Sequence, residues 1–415
     1  MSDLAWLDAA LIAARPQAVG ALLRYFRDLD AAEEAFQEAS LRALKSWPRN
    51  GPPRDAAAWL IMVGRNAGID ETRKKKRTQA LPEEDQISDT ADAETPLAER
   101  LDAADYRDDI LRLLFVCCHP DLPDTQQIAL ALRIVSGLSV KQIARAFLVS
   151  EAAMEQRITR AKSRIAKLGS AFEAPGPADR SARVAAVAAM IYLVFNEGYS
   201  AANAGEGEAR APLCDEAIRL ARLLLVLFPS EPEVMGLLAL FLLQHSRAAA
   251  RFDADGAIVL LDDQDRARWD GAAIAEGLAL LDKAMRHARP GAHQIQAAIA
   301  ALHARAREPG ETDWAQIALL YESLERLQPS PVITLNRAVA ISKTQGPQAA
   351  LAVIAPLADP LDGYFHFHGL KGALLMQQGR AAEAREAFNR AIALANTPAE
   401  ADHIRNHLDR LAKPA

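Results

Sequence analysis

Residues 138–168 read LSVKQIARAFLVSEAAMEQRITRAKSRIAKL, and this stretch decides the fold of its part of the chain. Apolar residues in its first half share one helical face, and those in its second half recur at spacings of four, three, four and three. Ser150 follows the turn residues Leu148 and Val149, and its hydroxyl can accept a backbone N–H as the N-cap of a second helix. The sequence therefore predicts two packed helices joined by a tight turn. Their apolar positions are Val140, Ile143, Ala144 and Phe147, then Met154, Ile158, Ala161, Ile165 and Leu168.

The polar face of this helix pair is basic. Residues 139–167 carry seven basic and two acidic side chains, a local excess of five positive charges in a chain of net charge -6. A helix that docks by its apolar face and presents arginines outward suits the major groove and its phosphates. The alternative is an amphipathic helical hairpin whose basic face is only solvated. The charged residues are Lys141, Arg145, Arg157, Arg160, Lys162, Arg164 and Lys167, against Glu151 and Glu155.

An earlier block also reads as helices that end in cations. We predict a helix with Asp30 as N-cap and Glu33 as its capping-box partner, then a loop over residues 47–53 (WPRNGPP). A second helix begins near Asp55 and ends in the basic run RKKKR at residues 73–77, which suits solvent or phosphate. The apolar stripe of the first helix is Leu29, Ala32, Phe36, Ala39, Ala43 and Trp47, and the second helix buries Trp59, Leu60 and Val63.

Composition favours an all-α fold: alanine and leucine are abundant, and aromatic residues are 6% of the chain. We expect a helical domain over residues 1–77, a flexible acidic linker over 78–105 and a second helical domain over 106–172. A large helical region should then fill residues 181–415, with tetratricopeptide-like repeats near 330–400. Gly346 and Gly379 mark the repeat, because they lie 33 residues apart between helical patterns.

Several function classes find little support in the chain. The three cysteines cannot form a paired disulfide framework, and no signal peptide or membrane span is evident, so we expect a cytoplasmic protein. Cys117, Cys118 and His119 are adjacent and lack a second ligand pair at zinc-like spacing, so we expect packing, with no metal and no cofactor. No nucleophile and base stand out, and we expect no enzyme, although an enzyme in the C-terminal region stays an alternative.

The two basic blocks, in this order, resemble the sigma-70 family of RNA polymerase specificity factors, of the extracytoplasmic-function type. Residues 34–39 (EAFQEA) resemble the region 2 helix that docks on the polymerase clamp, and residues 58–70 with the basic run resemble the part that binds the -10 promoter element. Residues 137–161 resemble region 4, which reads the -35 element. Residues 196–199 (NEGY), 263–270 (DQDRARWD) and 329–338 (PSPVITLNRA) resemble the helical, tetratricopeptide-like extension of one subgroup.

The resemblance implies site residues and partners. It implies core RNA polymerase (clamp and flap) and promoter DNA as partners, with a possible protein or peptide partner for the extension and no membrane. Ala153, Glu155 and Leu148 depart from the usual region 4 residues. The implied residues are Glu34, Phe36, Gln37 and Glu38 for polymerase; Asn50, Arg54, Asp55, Trp59, Arg65, Asn66, Arg73, Lys74, Lys75, Lys76 and Arg77 for the -10 element; and Ser150, Gln156, Arg157, Arg160, Lys162 and Arg164 for the -35 element.

Two other function classes stay open. A DNA-binding regulator with a repeat-domain sensor explains the helix pair and the extension, but leaves the first basic block without a role. A repeat-domain scaffold would treat the basic face as incidental and predicts no salt-dependent binding to DNA.

Overall fold

The computed structural model describes residues 5–76, 103–147, 149–168, 177–201, 207–253, 257–395 and 397–412. Its helices confirm the all-α prediction, and the described residues contain no strand beyond one isolated bridge between Phe252 and Ile258. Residues 78–102 of the predicted linker at 78–105 lie outside the described residues. No helix in the described part is long and apolar enough to cross a bilayer. The helices are α1 (Ala5–Phe26), α2 (Leu29–Asn50), α3 (Ala56–Lys76), α4 (Ala103–Cys117), α5 (Asp124–Ile134), α6 (Val140–Ala146), α7 (Glu151–Lys167), α8 (Pro177–Ala201), α9 (Gly207–Leu227), α10 (Pro232–His245), α11 (Gly271–Met285), α12 (Ala292–Arg305), α13 (Trp314–Leu327), α14 (Pro331–Gln345), α15 (Pro347–Ile354), α16 (Phe365–Gln377), α17 (Ala381–Leu394) and α18 (Pro398–Ala412).

The chain divides into two compact units, residues 1–194 and 195–415. In the first unit, α1, α2 and α3 pack on one another, α1 also packs on α4, and α5, α6 and α7 form a second group. In the second unit the helices from α9 onward pack on their neighbours along the chain, and α12 also packs extensively on α10. Such serial packing is typical of helical repeat architectures.

Two predictions for α2 were wrong in detail. Its N-cap is Asp28, whose side chain accepts a hydrogen bond from the backbone of Ala31 at 2.7 Å, so Asp30 lies inside the helix. The helix also continues through Pro48 to Asn50, and Gly51 ends it with φ of 81°. Pro48 is tolerated because it is exposed in the last turn, where water can satisfy the carbonyl that loses its partner. The predicted apolar stripe from Leu29 to Trp47 is buried, as expected.

The cysteines pack in the interior. Cys117, Cys118 and Cys214 are free and buried. Burial raises the pKa of the Cys118 thiol to about 12, and it likewise raises the pKa of the Cys214 thiol to about 12. These thiols therefore stay protonated at neutral pH and behave as small apolar groups.

The region near 330–400 consists of helical hairpins. Gly346 and Gly379 have φ of 86° and 72°, and each stands between two consecutive helices, as the spacing predicts. Between α16 and α17 the approach is close, because a Cβ at Gly372 would lie 2.6 Å from the ring of Phe388. This small–large contact is the kind that tetratricopeptide repeats use, although the repeat family itself stays a prediction.

That contact gives a first expected result. Gly372→Ala should lower the free energy of unfolding of the second unit by about 1–3 kcal/mol, because the fully buried ring of Phe388 has to move. Gly369→Ala on the same helix is the control, since its Cβ would lie 3.5 Å from Ile404. Alanine favours helix over glycine by about 0.5–1 kcal/mol, so this variant should be slightly more stable. Urea denaturation of both full-length variants tests the prediction, and equal effects would contradict it.

Stability of the second unit should fall in mild acid through His303. Burial, with the cations Arg247 and Arg266, lowers the pKa of His303 from 6.5 to about 4. Between about pH 6.5 and pH 4, His303 is therefore protonated in the unfolded chain and neutral in the folded chain, so stability is lost as pH falls through this window. The full loss is on the order of 3 kcal/mol. The urea midpoint of unfolding should drop more between about pH 7.5 and about pH 5 in the native chain than in His303→Gln. Equal drops in the two proteins would show that His303 is not responsible.

Candidate nucleic-acid and polymerase interface

Two serine caps set the geometry of the helix pair α6–α7. Ser139 and Gln142 form a capping box at the start of α6: the Ser139 hydroxyl accepts the backbone N–H of Gln142 at 3.2 Å, and the side-chain oxygen of Gln142 accepts the backbone N–H of Ser139 at 2.8 Å. Ser150 caps α7 as predicted, because its hydroxyl accepts the Ala153 amide at 3.2 Å. The stripe of Met154, Ile158, Ala161 and Ile165 is buried, and α7 packs on α5 and α6.

The opposite face of α7 is open. Five of the six residues that the resemblance assigns to the -35 element lie at the surface: Ser150, Gln156, Arg160 and Arg164 are exposed, and Arg157 is partly exposed. The hydroxyl of Ser150 is already used in the cap. The guanidinium and amide groups of the other four can therefore reach a major groove without any unfolding of α7.

Lys162 is the exception among these six. Its ammonium donates to Asp30 at 2.6 Å and to Glu33 at 2.8 Å, both on α2. Its side chain is only 18% exposed. Burial by itself would lower the pKa of Lys162, but the hydrogen bonds to Asp30 and Glu33 outweigh it and raise the pKa. The predicted contact of Lys162 with DNA stays a prediction, and it requires that these bonds break first.

Glu33 is the centre of a larger ion-pair cluster, which we call the Glu33 cluster: Arg15, Asp30, Glu33, Arg133 and Lys162. The Glu33 carboxylate, 5% exposed, lies 2.9 Å from the guanidinium of Arg133 and 3.6 Å from that of Arg15. Three cations from α1, α5 and α7 therefore meet one buried carboxylate on α2. A buried charge is tolerable only with such compensation.

Arg15 is held from several sides. Its guanidinium donates to the carbonyls of Ile134 at 2.8 Å and Arg133 at 3.2 Å, and it lies 4.8 Å from the centre of the Phe36 ring. Burial lowers the pKa of Arg15 to about 10, with Glu33 opposing the shift and Arg133 adding to it. It still carries its charge at neutral pH, so it depends on the Glu33 carboxylate.

A second ion pair joins the same halves of the first unit. Asp109 on α4 is fully buried and pairs with Arg24 of α1 at 3.3 Å and with Arg112 at 3.1 Å. The helices of the first block and those of the second block are thus connected by two separate buried carboxylates.

The expected -10 side is built around two tryptophans. Asp55 caps α3 by accepting the Ala58 amide at 3.0 Å. Trp59 is partly buried, and its ring packs edge-on against the buried Trp47 at 5.4 Å between centroids. The loop before α3 therefore ends beside the Trp59 ring, which Trp47 supports on one side and which is partly exposed to solvent.

The remaining residues expected to contact the -10 element lie before α3, along α3 and in the basic run at its end. Asn50, Arg54 and Asn66 are exposed, and the guanidinium of Arg65 lies 4.4 Å from the centre of the Tyr25 ring. The backbone of α3 is helical through Arg73, Lys74, Lys75 and Lys76, whose side chains are outside the described part, as is all of Arg77.

The expected polymerase-binding helix, α2, needs one correction. Phe36 is only 4% exposed and packs under Arg15, so it supports the helix from inside and has no free face for a partner here. Glu34 and Gln37 are exposed, and Glu38 pairs with Arg42 at 3.1 Å. The stripe that buries Phe36 is the same one that the apolar periodicity predicts.

Sequence reasoning missed part of this surface. Leu41 and Leu44 on α2 are 54% and 44% exposed, which places large apolar groups beside the acidic residues of the outer face. Leucines three positions apart on the polar side of an amphipathic helix were an available signal. For Arg15 and Arg133, which hold Glu33, no local signal existed.

Comparison with known families fixes the class of protein. Residues 11–78 match Sigma-70 region 2, and residues 112–165 match Sigma-70, region 4. The chain belongs to the sigma-70 family. This confirms the family suggested by the two basic blocks. A sigma-70 factor binds core RNA polymerase and promoter DNA and directs transcription initiation; such factors are not enzymes.

The extension of this sigma factor has relatives without an assigned role. Residues 183–285 match a family of unknown function, DUF6596. An uncharacterized protein of Rhizobium meliloti (strain 1021) is 70% identical over 412 residues, covering 99% of this chain and 97% of that protein. The sigma regions and the extension therefore occur together in that bacterial relative.

Proposed function

We propose that this sigma factor is of the extracytoplasmic-function type, with region 2 in residues 1–77 and region 4 in 106–172. It works in the cytoplasm, where α7 reads the -35 element through Gln156, Arg157, Arg160 and Arg164. The observation that carries this proposal is the exposed basic face of α7, set opposite a fully buried stripe. Each good bidentate contact from such a face is worth about 1–3 kcal/mol of discrimination between bases.

The -10 element meets the loop before α3 in this proposal. Asn50 and Arg54 flank the loop and are exposed, and Trp59 offers part of its ring. Removing a base from the DNA stack costs a few kcal/mol, and stacking of that base on an aromatic ring offsets about 1–3 kcal/mol of this cost. The cations from Arg73 to Arg77 then hold strand phosphates. The outer face of α2, with Glu34, Gln37 and Glu38, contacts the polymerase clamp.

Run-off transcription tests the proposal. Core polymerase of Rhizobium meliloti, freed of its own sigma factors, is mixed with genomic DNA of that organism and the full-length protein. Defined transcripts that appear only with the protein are the expected result. A protein that binds core but starts no transcript points to an inhibitory arrangement. A folded protein that neither binds core nor starts transcripts contradicts the proposal and favours a DNA-binding regulator.

The extension, residues 181–415, regulates the factor or binds a protein partner in this proposal. Serial helical hairpins present long surfaces that suit protein or peptide partners. A chain that ends after residue 172 should differ from the full-length protein in transcript yield or in binding to core polymerase. The same run-off assay measures the first, and capture of core polymerase measures the second. Unchanged behaviour in both would remove the role.

The Glu33 cluster implies that promoter binding needs an opening step. α7 contacts α2 near its start, at Asp30 and Glu33, and the loop before α3 follows the end of α2 at Asn50, so the two surfaces are separated by about 30 Å along α2 and about 10 Å across it. The -10 and -35 elements are about 25 base pairs apart, or about 85 Å of B-DNA at 3.4 Å per base pair. Residues 77–102 can span up to about 90 Å when extended. The chain is thus long enough to open, but α7 must first leave α2.

A charge reversal at Asp30 should favour the open state. Asp30→Lys places a cation against Lys162, and because Asp30 is 73% exposed the fold tolerates the change. Binding to a -35 duplex without polymerase should then tighten several-fold, read by fluorescence anisotropy at fixed salt. Glu34→Lys is the matched control: it has the same charge change on the same helix, at an exposed residue without an ion pair among the described residues. An equal gain in both variants would mean general attraction and no opening.

A further inference from the structure

The second unit contains a cavity of about 440 Å³ between the end of α11, the turn that follows it, α12 and α13. Its walls are mostly apolar and include Ile295, Ala298 and Leu320. This volume is in the range of sites that bind small organic molecules. At the rim, Met285 and Leu327 are 61% and 53% exposed, so the mouth of the cavity is also lined by apolar side chains.

The charge at this cavity has one sign. Its lining includes two arginines, Arg289 and Arg326, and no acidic residue. Arg289 reaches Glu231 at 3.4 Å, whereas Arg326 donates to Ser323 at 3.3 Å and has no carboxylate within ion-pair distance among the described residues. An exposed guanidinium at the mouth of an apolar cavity matches a ligand with an anionic head and a hydrocarbon body.

The wall of the cavity is held in place before any ligand arrives. Gln294 is 5% exposed, and its amide nitrogen donates to Glu233 at 3.2 Å and to the Arg289 carbonyl at 2.8 Å. Ala288 has φ of 50°, a left-handed conformation that costs a non-glycine residue roughly 1–2 kcal/mol. The turn that carries Arg289 thus keeps a strained shape, and such strain is typical of ligand-binding segments.

We propose that this cavity binds a small amphipathic carboxylic acid, with the hydrocarbon chain against Ile295, Ala298 and Leu320 and the carboxylate on Arg326. The lining residues all belong to the extension, and none of them is assigned to promoter DNA or polymerase in the proposed function. Binding of such an acid would make the extension a small-molecule-binding domain, a function beyond the proposed role in transcription initiation.

Isothermal titration calorimetry of the full-length protein tests this site with decanoate as the probe, below its micelle concentration. We expect saturable binding of one decanoate per chain, at least tenfold tighter than binding of decanol and of decyltrimethylammonium. Arg326→Glu should weaken decanoate binding at least tenfold. Arg385→Glu, on an exposed arginine of α17 without an ion pair among the described residues, is the control and should leave it unchanged.

A second variant separates the cavity from surface adsorption. Ala298→Phe fills the space between α12 and α13 and should abolish binding; Ala298→Leu, which fills less, is used if the first variant loses its cooperative unfolding. Decanoate that still binds the filled variant, or decanol that binds as tightly as decanoate, would overturn the proposal. So would a dimer by light scattering that dissociates when Met285 and Leu327 are made polar, because the apolar rim would then be an interface between two copies.

Discussion

Replacing Arg157 and Arg160 together by alanine should lower run-off transcription from promoters that need a -35 element by at least about 30-fold. Each arginine on the open face of α7 can make a contact worth about 1–3 kcal/mol, and every 1.4 kcal/mol is tenfold. Arg160 is exposed, Arg157 is partly exposed, and neither belongs to the buried stripe of α7, so the core packing of the helix should survive their loss.

The control for this pair is a double variant of the extension. Arg268 and Arg385 are exposed and make no ion pair among the described residues, so alanine at both positions changes the net charge equally. The control should keep full transcription, and both double variants should still bind core polymerase. A loss confined to low salt, or an equal loss in the control, would indicate only general attraction between protein and DNA. Unchanged transcription in the α7 variant would remove α7 from the -35 contact.

Glu33→Ala should destabilise the first unit by about 3–5 kcal/mol, the usual cost of leaving a buried charge without its partner. The charge left behind is Arg15, which is 8% exposed and has Glu33 as its counter-ion. Arg133 and Lys162 lose the same partner, although Lys162 keeps Asp30. Opening between α2 and α7 should therefore accompany the loss of stability.

Hydrogen exchange measured by mass spectrometry reads this effect locally, because tryptophans in both units would mix in a fluorescence signal. Amides of α1, α2 and α5 should exchange faster in Glu33→Ala, while those of α16 and α17 should not change. Glu34→Ala, one position along and exposed, should leave exchange as in the native chain. The double variant Arg15→Met with Glu33→Leu should recover part of the protection, since a packed apolar pair can replace a buried ion pair. Faster exchange in the double variant than in Glu33→Ala would mean that Arg15 is not the unmet charge.

Helix α7 carries both the residues proposed for the -35 contact and the lysine that binds it to α2. The arginines of α7 face solvent, fully or in part, and Lys162 on the same helix contacts α2. In the proposed function, a factor that keeps α7 on α2 presents its -35 face but does not extend to both promoter elements. If the proposed opening step holds, the balance between these ion pairs and the contacts offered by polymerase and DNA sets when the factor becomes active.

The sequence by itself determined the class of fold, the helix faces and the family. Apolar spacing of three and four places Met154, Ile158, Ala161 and Ile165 on one side of α7, because a helix repeats every 3.6 residues, and all four are buried. Ser150 caps α7 because a local side chain can satisfy a local amide. These are short-range effects, so they can be read from neighbouring residues.

Only the tertiary structure decided which charges meet. Asp30 and Glu33 have the spacing of a cap and its partner, yet Asp28 takes the cap, and both carboxylates instead hold Lys162, 132 and 129 residues away. Phe36 is buried under Arg15, which leaves the outer face of α2 to other residues. The energy of an ion pair depends on distance and burial, which are properties of the packed helices. No pattern along the chain encodes them.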